Sequence, residues 1–259
     1  MIEAALKNAL RHDRWPVLLS LLAISALALG YTAWLATGFD MSGMMSPAFV
    51  PWSADHLAFM LAMWIVMMVG MMTPSVAPMV LLYAGIARQA NSRGTPFAPA
   101  GWFASGYLFA WIAFAAVATF AQWWLESRAL IAPMMAGTGP IAGGLILVIT
   151  GIYQWLPAKQ ACLAQCSAPL AFVQRHGGFA PSARGSVRLG FLHGLYCIGC
   201  CWALMALLFV FGVMNLVWIA GLMVFMLIEK LVPNPRVLSR VAGIAAIAAG
   251  LWMLGGGRT

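Results

Sequence analysis

The chain has 259 residues, of which 63% are hydrophobic and only 8% charged, and its net charge is +8. Soluble domains carry about 25% charged residues, so this composition excludes an ordinary soluble protein. The basic residues fall in short segments between apolar stretches, which argues against nucleic acid as a partner and for the lipid bilayer.

Seven stretches approach the roughly 20 apolar residues that cross a hydrocarbon core. They are 16–37, 56–83, 101–124, 140–157, 189–211, 214–229 and 239–255. The first is longer than the apolar region of a signal peptide and is followed by more spans, so it reads as retained. The sixth and seventh are short, which leaves six spans as the alternative. No linker, low-complexity segment or internal repeat divides the sequence. The expected fold is a single all-α integral membrane domain over 1–259, a polytopic transmembrane helical bundle of about seven spans.

Charge sets the expected orientation. Lys7, Arg11 and Arg14 precede the first span, Arg88 and Arg93 follow the second, and Lys159, Arg175, Arg184 and Arg188 follow the fourth. Lys230, Arg236 and Arg240 follow the sixth, so alternate segments hold all of the basic residues except Arg128 and Arg258. Lys and Arg accumulate on the cytoplasmic side, so the N-terminus is expected inside and the C-terminus outside. The membrane expected is the bacterial inner membrane, crossed several times.

The second span is dominated by methionine. At 100° per residue, Met60, Met63, Met67 and Met71 lie within about 80° of one another, with Met68 and Met72 on one flank. Thioethers are soft ligands, so this stripe reads either as a path for Cu(I) or as adaptable packing against a neighbouring helix. Ahead of it, Asp40-Met41-Ser42-Gly43-Met44-Met45 places more thioethers near the expected outer entrance. Pro74 and Pro78 are expected to kink the inner end. Asp55 reads as a helix cap.

All five cysteines lie between residues 162 and 201. Cys162 and Cys166 are four apart, hence on one face if the segment is helical. Lys159 stands close by in sequence. His193, Cys197, Cys200 and Cys201 fall at about 0°, 40°, −20° and 80° around the fifth span, within one quadrant. Thiolates suit soft ions, so the expected cargo is a soft transition metal, Cu(I) first, with zinc and iron as alternatives. The candidate metal ligands are thus Cys162, Cys166, His193, Cys197, Cys200, Cys201, Met60, Met63, Met67 and Met71. Glu229 and Lys230 read as interfacial charges at the end of the sixth span. Gln154 and Asn215 read as polar bridges between helices.

Several of these runs carry a family resemblance. Met63 through Ser75 resembles the second span of a bacterial family of predicted metal-binding integral membrane proteins of unknown function. The same holds for Lys159 to Cys162 with Cys166 and Pro169, for Gly194 through Met205, for Gly212 through Asn215, and for Glu229-Lys230. The likeness covers about residues 55–240 and implies metal binding within a membrane.

Soft-metal trafficking or transport through Met and Cys/His sites is the first functional expectation. Possible partners are a metal chaperone or other membrane subunits. A membrane thiol redox protein and a structural or assembly subunit of a larger complex are the alternatives. No P-loop or aspartyl-phosphate sequence is present, so nothing here marks an ATP-driven pump or another enzyme. The orientation is testable directly: a membrane-impermeant thiol reagent is expected to label Cys162 in inverted vesicles and to miss it in intact cells. Labelling in intact cells would invert the topology.

Overall fold

A computed structural model describes residues 14–38, 52–95, 97–128, 139–213, 215–232 and 234–256. The expected outer motif at 40–45, together with Lys7, Arg11, Met214 and Arg258, lies outside the described residues. Among the described residues there are nine helices and no strand. In chain order they are α1 (Arg14–Gly38), α2 (Ala54–Ser92), α3 (Ala100–Ser127), α4 (Pro140–Tyr153) and α5 (Pro157–Ser167). There follow α6 (Pro169–Arg175), α7 (Ala183–Phe211), α8 (Leu216–Leu231) and α9 (Pro235–Leu254).

The helix boundaries follow local chemistry. Ser53 caps α2 by accepting from His56 N at 3.2 Å, so the cap is Ser53 rather than Asp55, which sits in the first turn. Ser182 caps α7 in the same way, through Gly185 N at 3.2 Å. Asn215 caps α8 through Val217 N and Trp218 N, and so serves its own helix rather than bridging two. Proline opens α4, α5, α6 and α9, where its missing N–H costs nothing. Helix α7 stops at Gly212, whose φ of 93° is open to glycine at little cost. Helix α2 runs unbroken through Pro74 and Pro78.

Among the described residues, four helices (α2, α3, α7 and α9) are long and apolar enough to cross a membrane. The bent pair α4 and α5, meeting at 66°, would make a fifth if the pair is one span. Their break lies at 154–156, just ahead of Pro157, which disfavours helical backbone at Leu156. At 39 residues, α2 extends about 58 Å, well beyond a hydrocarbon core of about 30 Å. Its far end is tied down: Tyr83 Oη lies 2.7 Å from Ser186 Oγ and donates to Ala180 O at 2.8 Å.

Two close crossings order the bundle. Between α3 and α7, a Cβ at Gly190 would lie 2.0 Å from Phe103 O, and one at Gly106 would lie 2.1 Å from Val187 O. Between α4 and α9, a Cβ at Gly144, Gly151, Gly243 or Gly250 would lie 2.5–2.7 Å from its nearest neighbour, also too close to fit without a shift. Small residues let apolar helices approach backbone to backbone where no hydrophobic force drives them together. Helix α2 packs on α1 and α3, while α5 and α4 lie against α7. Helix α8 touches α2, α5, α7 and α9. Outward faces are apolar, as at Leu27, Phe120, Ile141, Val217 and Val241.

At the end of α8, Glu229 and Lys230 turn into the bundle rather than outward as the sequence suggested. Glu229 is 1% exposed and pairs with the fully buried Lys159 of α5 at 2.6 Å. Gln154 accepts a second hydrogen bond from Lys159, and Ser239 of α9 donates to Glu229. This cluster joins α4, α5, α8 and α9. Removing one member of a buried pair strands the other charge, at a cost of about 3–5 kcal/mol. Lys159→Met is therefore expected to lower thermal stability in detergent strongly, and Lys159→Met with Glu229→Leu to recover most of it. Unfolding followed by size-exclusion fluorescence checks both; equal losses in the single and double variants would contradict the pairing.

Candidate metal centre

Helix α7 carries Cys197, Cys200 and Cys201 near its middle, and α5 carries Cys162 and Cys166. Both helices form for ordinary reasons, and α5 lies along α7 because Gly199 leaves space there. A Cβ at Gly199 would come within 2.7 Å of Cys162 Sγ. One turn further along α5, Cys166 reaches the inner face of α7. Cys166, Cys197 and Cys200 then bring three Sγ atoms within 4.8 Å of one another, all buried. All five cysteines are free thiols.

The two α5 cysteines share a helix face, as their spacing implies, but they do not share a site. Four residues of helix separate them by about 6 Å, so only Cys166 reaches the trio. Cys162 is half-buried against Gly199. Cys201 turns back along α7 and donates to Cys197 O at 2.8 Å. Cys200 also donates to Cys197 O, at 3.0 Å, without leaving the trio. His193 stands one turn before Cys197, enclosed by the rings of Phe103, Tyr107 and Phe172. It is buried, and its Nδ1 has no hydrogen-bond partner.

Cys197 has polar neighbours that the sequence reading did not select. Lys230 Nζ lies 3.0 Å from Cys197 Sγ and 2.8 Å from Ser75 Oγ. Tyr107 Oη lies 3.2 Å from the same sulfur and 3.4 Å from Ser75 Oγ. Tyr107 also donates to Met72 O at 3.2 Å. Three helices thus place Lys, Tyr and Ser around one thiol of a fourth. A signal did exist: a charge inside an apolar span marks a functional site by default. Lys159, expected near the thiols, is engaged instead with Glu229 and Gln154.

The methionine stripe is interior. Met60, Met63, Met67 and Met71 are at most 2% exposed, and Met68 and Met72 are equally buried. Met72 Sδ lies 4.0 Å from Ser75 Oγ, which links the C-terminal end of the stripe to the polar groups around Cys197. At the other end, Met60 Sδ lies 3.9 Å from Gln122 Nε2. Gln122 accepts from Trp64 Nε1 at 2.7 Å and donates to Glu126 at 2.9 Å, while Trp52 Nε1 donates to Glu126 at 2.8 Å. Gln122 therefore bridges a buried carboxylate and a thioether near the start of α2, and three thiols meet near its midpoint.

Three sulfur donors on two helices could hold a soft ion, as thiolates do for Cu(I) or Zn(II). Residues 61–253 match the model of the PpoB2 family, described as a copper chaperone. The chain belongs to that family, and the trio lies inside the matched region. No curated protein and no solved structure matches the chain.

Proposed function

We propose that this protein binds Cu(I) within the bacterial inner membrane at Cys166, Cys197 and Cys200 and passes it on to a partner. The observation that carries this reading is the convergence of three buried Sγ atoms within 4.8 Å, in a chain whose family is described as a copper chaperone. The donor set fits the cargo, because soft sulfur ligands favour Cu(I) and all three are buried.

The methionine column supplies the approach. From Met60 to Met72 the rise along α2 is about 18 Å. Neutral thioethers bind more weakly than thiolates, so an ion entering beside Glu126 and Met60 moves toward stronger donors. With basic segments inside, the start of α2 faces outward and transfer runs inward. In this reading α1, α8 and the bent α4–α5 pair also span, giving seven crossings. A soluble metal chaperone or another membrane subunit would receive the ion.

Two measurements test the proposal. Protein purified anaerobically in mild detergent is expected to hold about one Cu(I) per chain. Cys166→Ser, Cys197→Ser and Cys200→Ser combined should remove most of it. Cys162→Ser with Cys201→Ser should retain it, because neither thiol belongs to the trio. Equal copper in all three preparations would refute the site.

The second measurement addresses the column. Replacing Met60, Met63, Met67 and Met71 with Leu preserves bulk, at under about 1.5 kcal/mol per site. The bound copper should remain near wild type while the rate of loading in vesicles falls at least severalfold. An unchanged rate would reduce the stripe to packing.

A further inference from the structure

We infer that Lys230 acts on the charge of the ion, biasing the cysteine trio toward a monovalent soft ion and against a divalent one. This rests on the metal-binding reading above. The proposal stands on where one cation is held. Lys230 Nζ is 3.0 Å from Cys197 Sγ and 2.8 Å from Ser75 Oγ. An ammonium has three donors and no lone pair, so it caps the thiol without serving as a ligand.

Its charge is not spent on a carboxylate. Glu229, the adjacent residue on α8, is engaged by Lys159 at 2.6 Å and by Ser239. Among the described residues no acidic group pairs with Lys230, and its two hydrogen bonds go to a sulfur and a hydroxyl. The positive charge therefore acts on whatever the trio holds. Coulomb repulsion scales with the ion's charge, so it is twice as large for a divalent ion at the same position. Inside an apolar bundle, salt screens that difference little.

Coordination pushes the same way. Zinc in closed protein sites takes four ligands. Three thiols lie within 4.8 Å of one another, the neighbouring Cys201 thiol is turned to Cys197 O, and the Lys230 ammonium and Tyr107 hydroxyl take up the space beside Cys197. Cu(I) is content with two or three sulfur donors. The charge discrimination falls to Lys230, whose ammonium touches Cys197.

Redox-inert ions make the test clean: Ag(I) for the monovalent class and Cd(II) for the divalent, both fond of thiolates. Full-length protein in detergent is equilibrated with both ions in competing buffers, and the bound ratio is read by elemental analysis. Lys230→Met is expected to shift the Ag(I)/Cd(II) ratio toward Cd(II) by at least about tenfold. Lys230→Arg, which keeps the charge, should stay near wild type. If Lys230→Met does not accumulate, Lys230→Gln carries the same expectation. An unaltered ratio in the neutral variants, with Ag(I) still bound, would overturn the role of Lys230 alone. Wild-type protein that retains neither ion would overturn the metal reading and this inference with it.

Discussion

The arrangement of sulfur ligands depends on one buried ion pair, Lys159 with Glu229. Helix α5 is only 11 residues long, and its tight contact at Gly199 is with the Cys162 side chain rather than with backbone, unlike the crossing that locks α3 to α7. What fixes it is a charge that must reach its partner. Lys159 is fully buried, so any docking of α5 that failed to bring it to Glu229 would leave a bare ammonium in an apolar interior, at a cost of several kcal/mol. That requirement sets the depth and rotation of α5, and with it the place of Cys166, two turns further along. The neighbouring residue completes the design. Successive positions on a helix point about 100° apart, so Glu229 reaches α5 while Lys230 reaches Cys197 and Ser75. One turn of α8 thus sets the ligand from α5 and the charge beside the ligand from α7.

The rest of the trio is held by a different force. Gly106, Gly190 and Gly194 bring α3 and α7 into backbone contact, and Thr150 of α4 donates to Ala203 O at 3.0 Å on α7. Cys197 and Cys200 therefore stand on a helix gripped from two sides. Interiors built this way transmit strain rather than absorb it. The methionines fill the other half of the interior. Where glycine allows close approach, backbones touch; where methionine stands, the bundle is filled by flexible, polarisable side chains that suit irregular space. Rigid support for the thiols and an adaptable lining on α2 are thus opposite solutions to packing in one bundle.

Much of this was legible in the sequence. Runs of about 20 apolar residues specify helices because a lone backbone cannot leave its polar groups unpaired in lipid. All of the segments expected as spans are helical over most of their length in the described residues. The grouping of Cys197 and Cys200 followed from helical period alone. Local geometry could not choose between Cys162 and Cys166, because both lie on the face toward α7 and the choice depends on where α5 docks. Lys230 was legible as a charge in an apolar stretch but not as a neighbour of the thiols, because its partners Ser75 and Cys197 lie 155 and 33 residues away. Near the end of an apolar stretch a lysine looks like an interfacial anchor, and only tertiary packing shows that it turns inward.

The polar groups of this interior make poor sense as stabilisers. A buried ion pair seldom contributes more than apolar residues of the same volume would, because desolvation offsets its attraction. The same holds for Lys230 beside a thiol, and for Gln122 and Glu126 beside Met60. An apolar core could hold the helices together at least as well. It could not fix one docking of α5 against its near alternatives, since slipping a greasy helix by a turn changes little, whereas slipping Lys159 away from Glu229 changes a great deal. A site made from thiols on separate helices needs that discrimination more than it needs stability. Its sulfur atoms must meet within a few ångströms or hold nothing. The charges in this bundle are best understood as the means by which an otherwise permissive apolar packing is made to choose a single arrangement of its ligands.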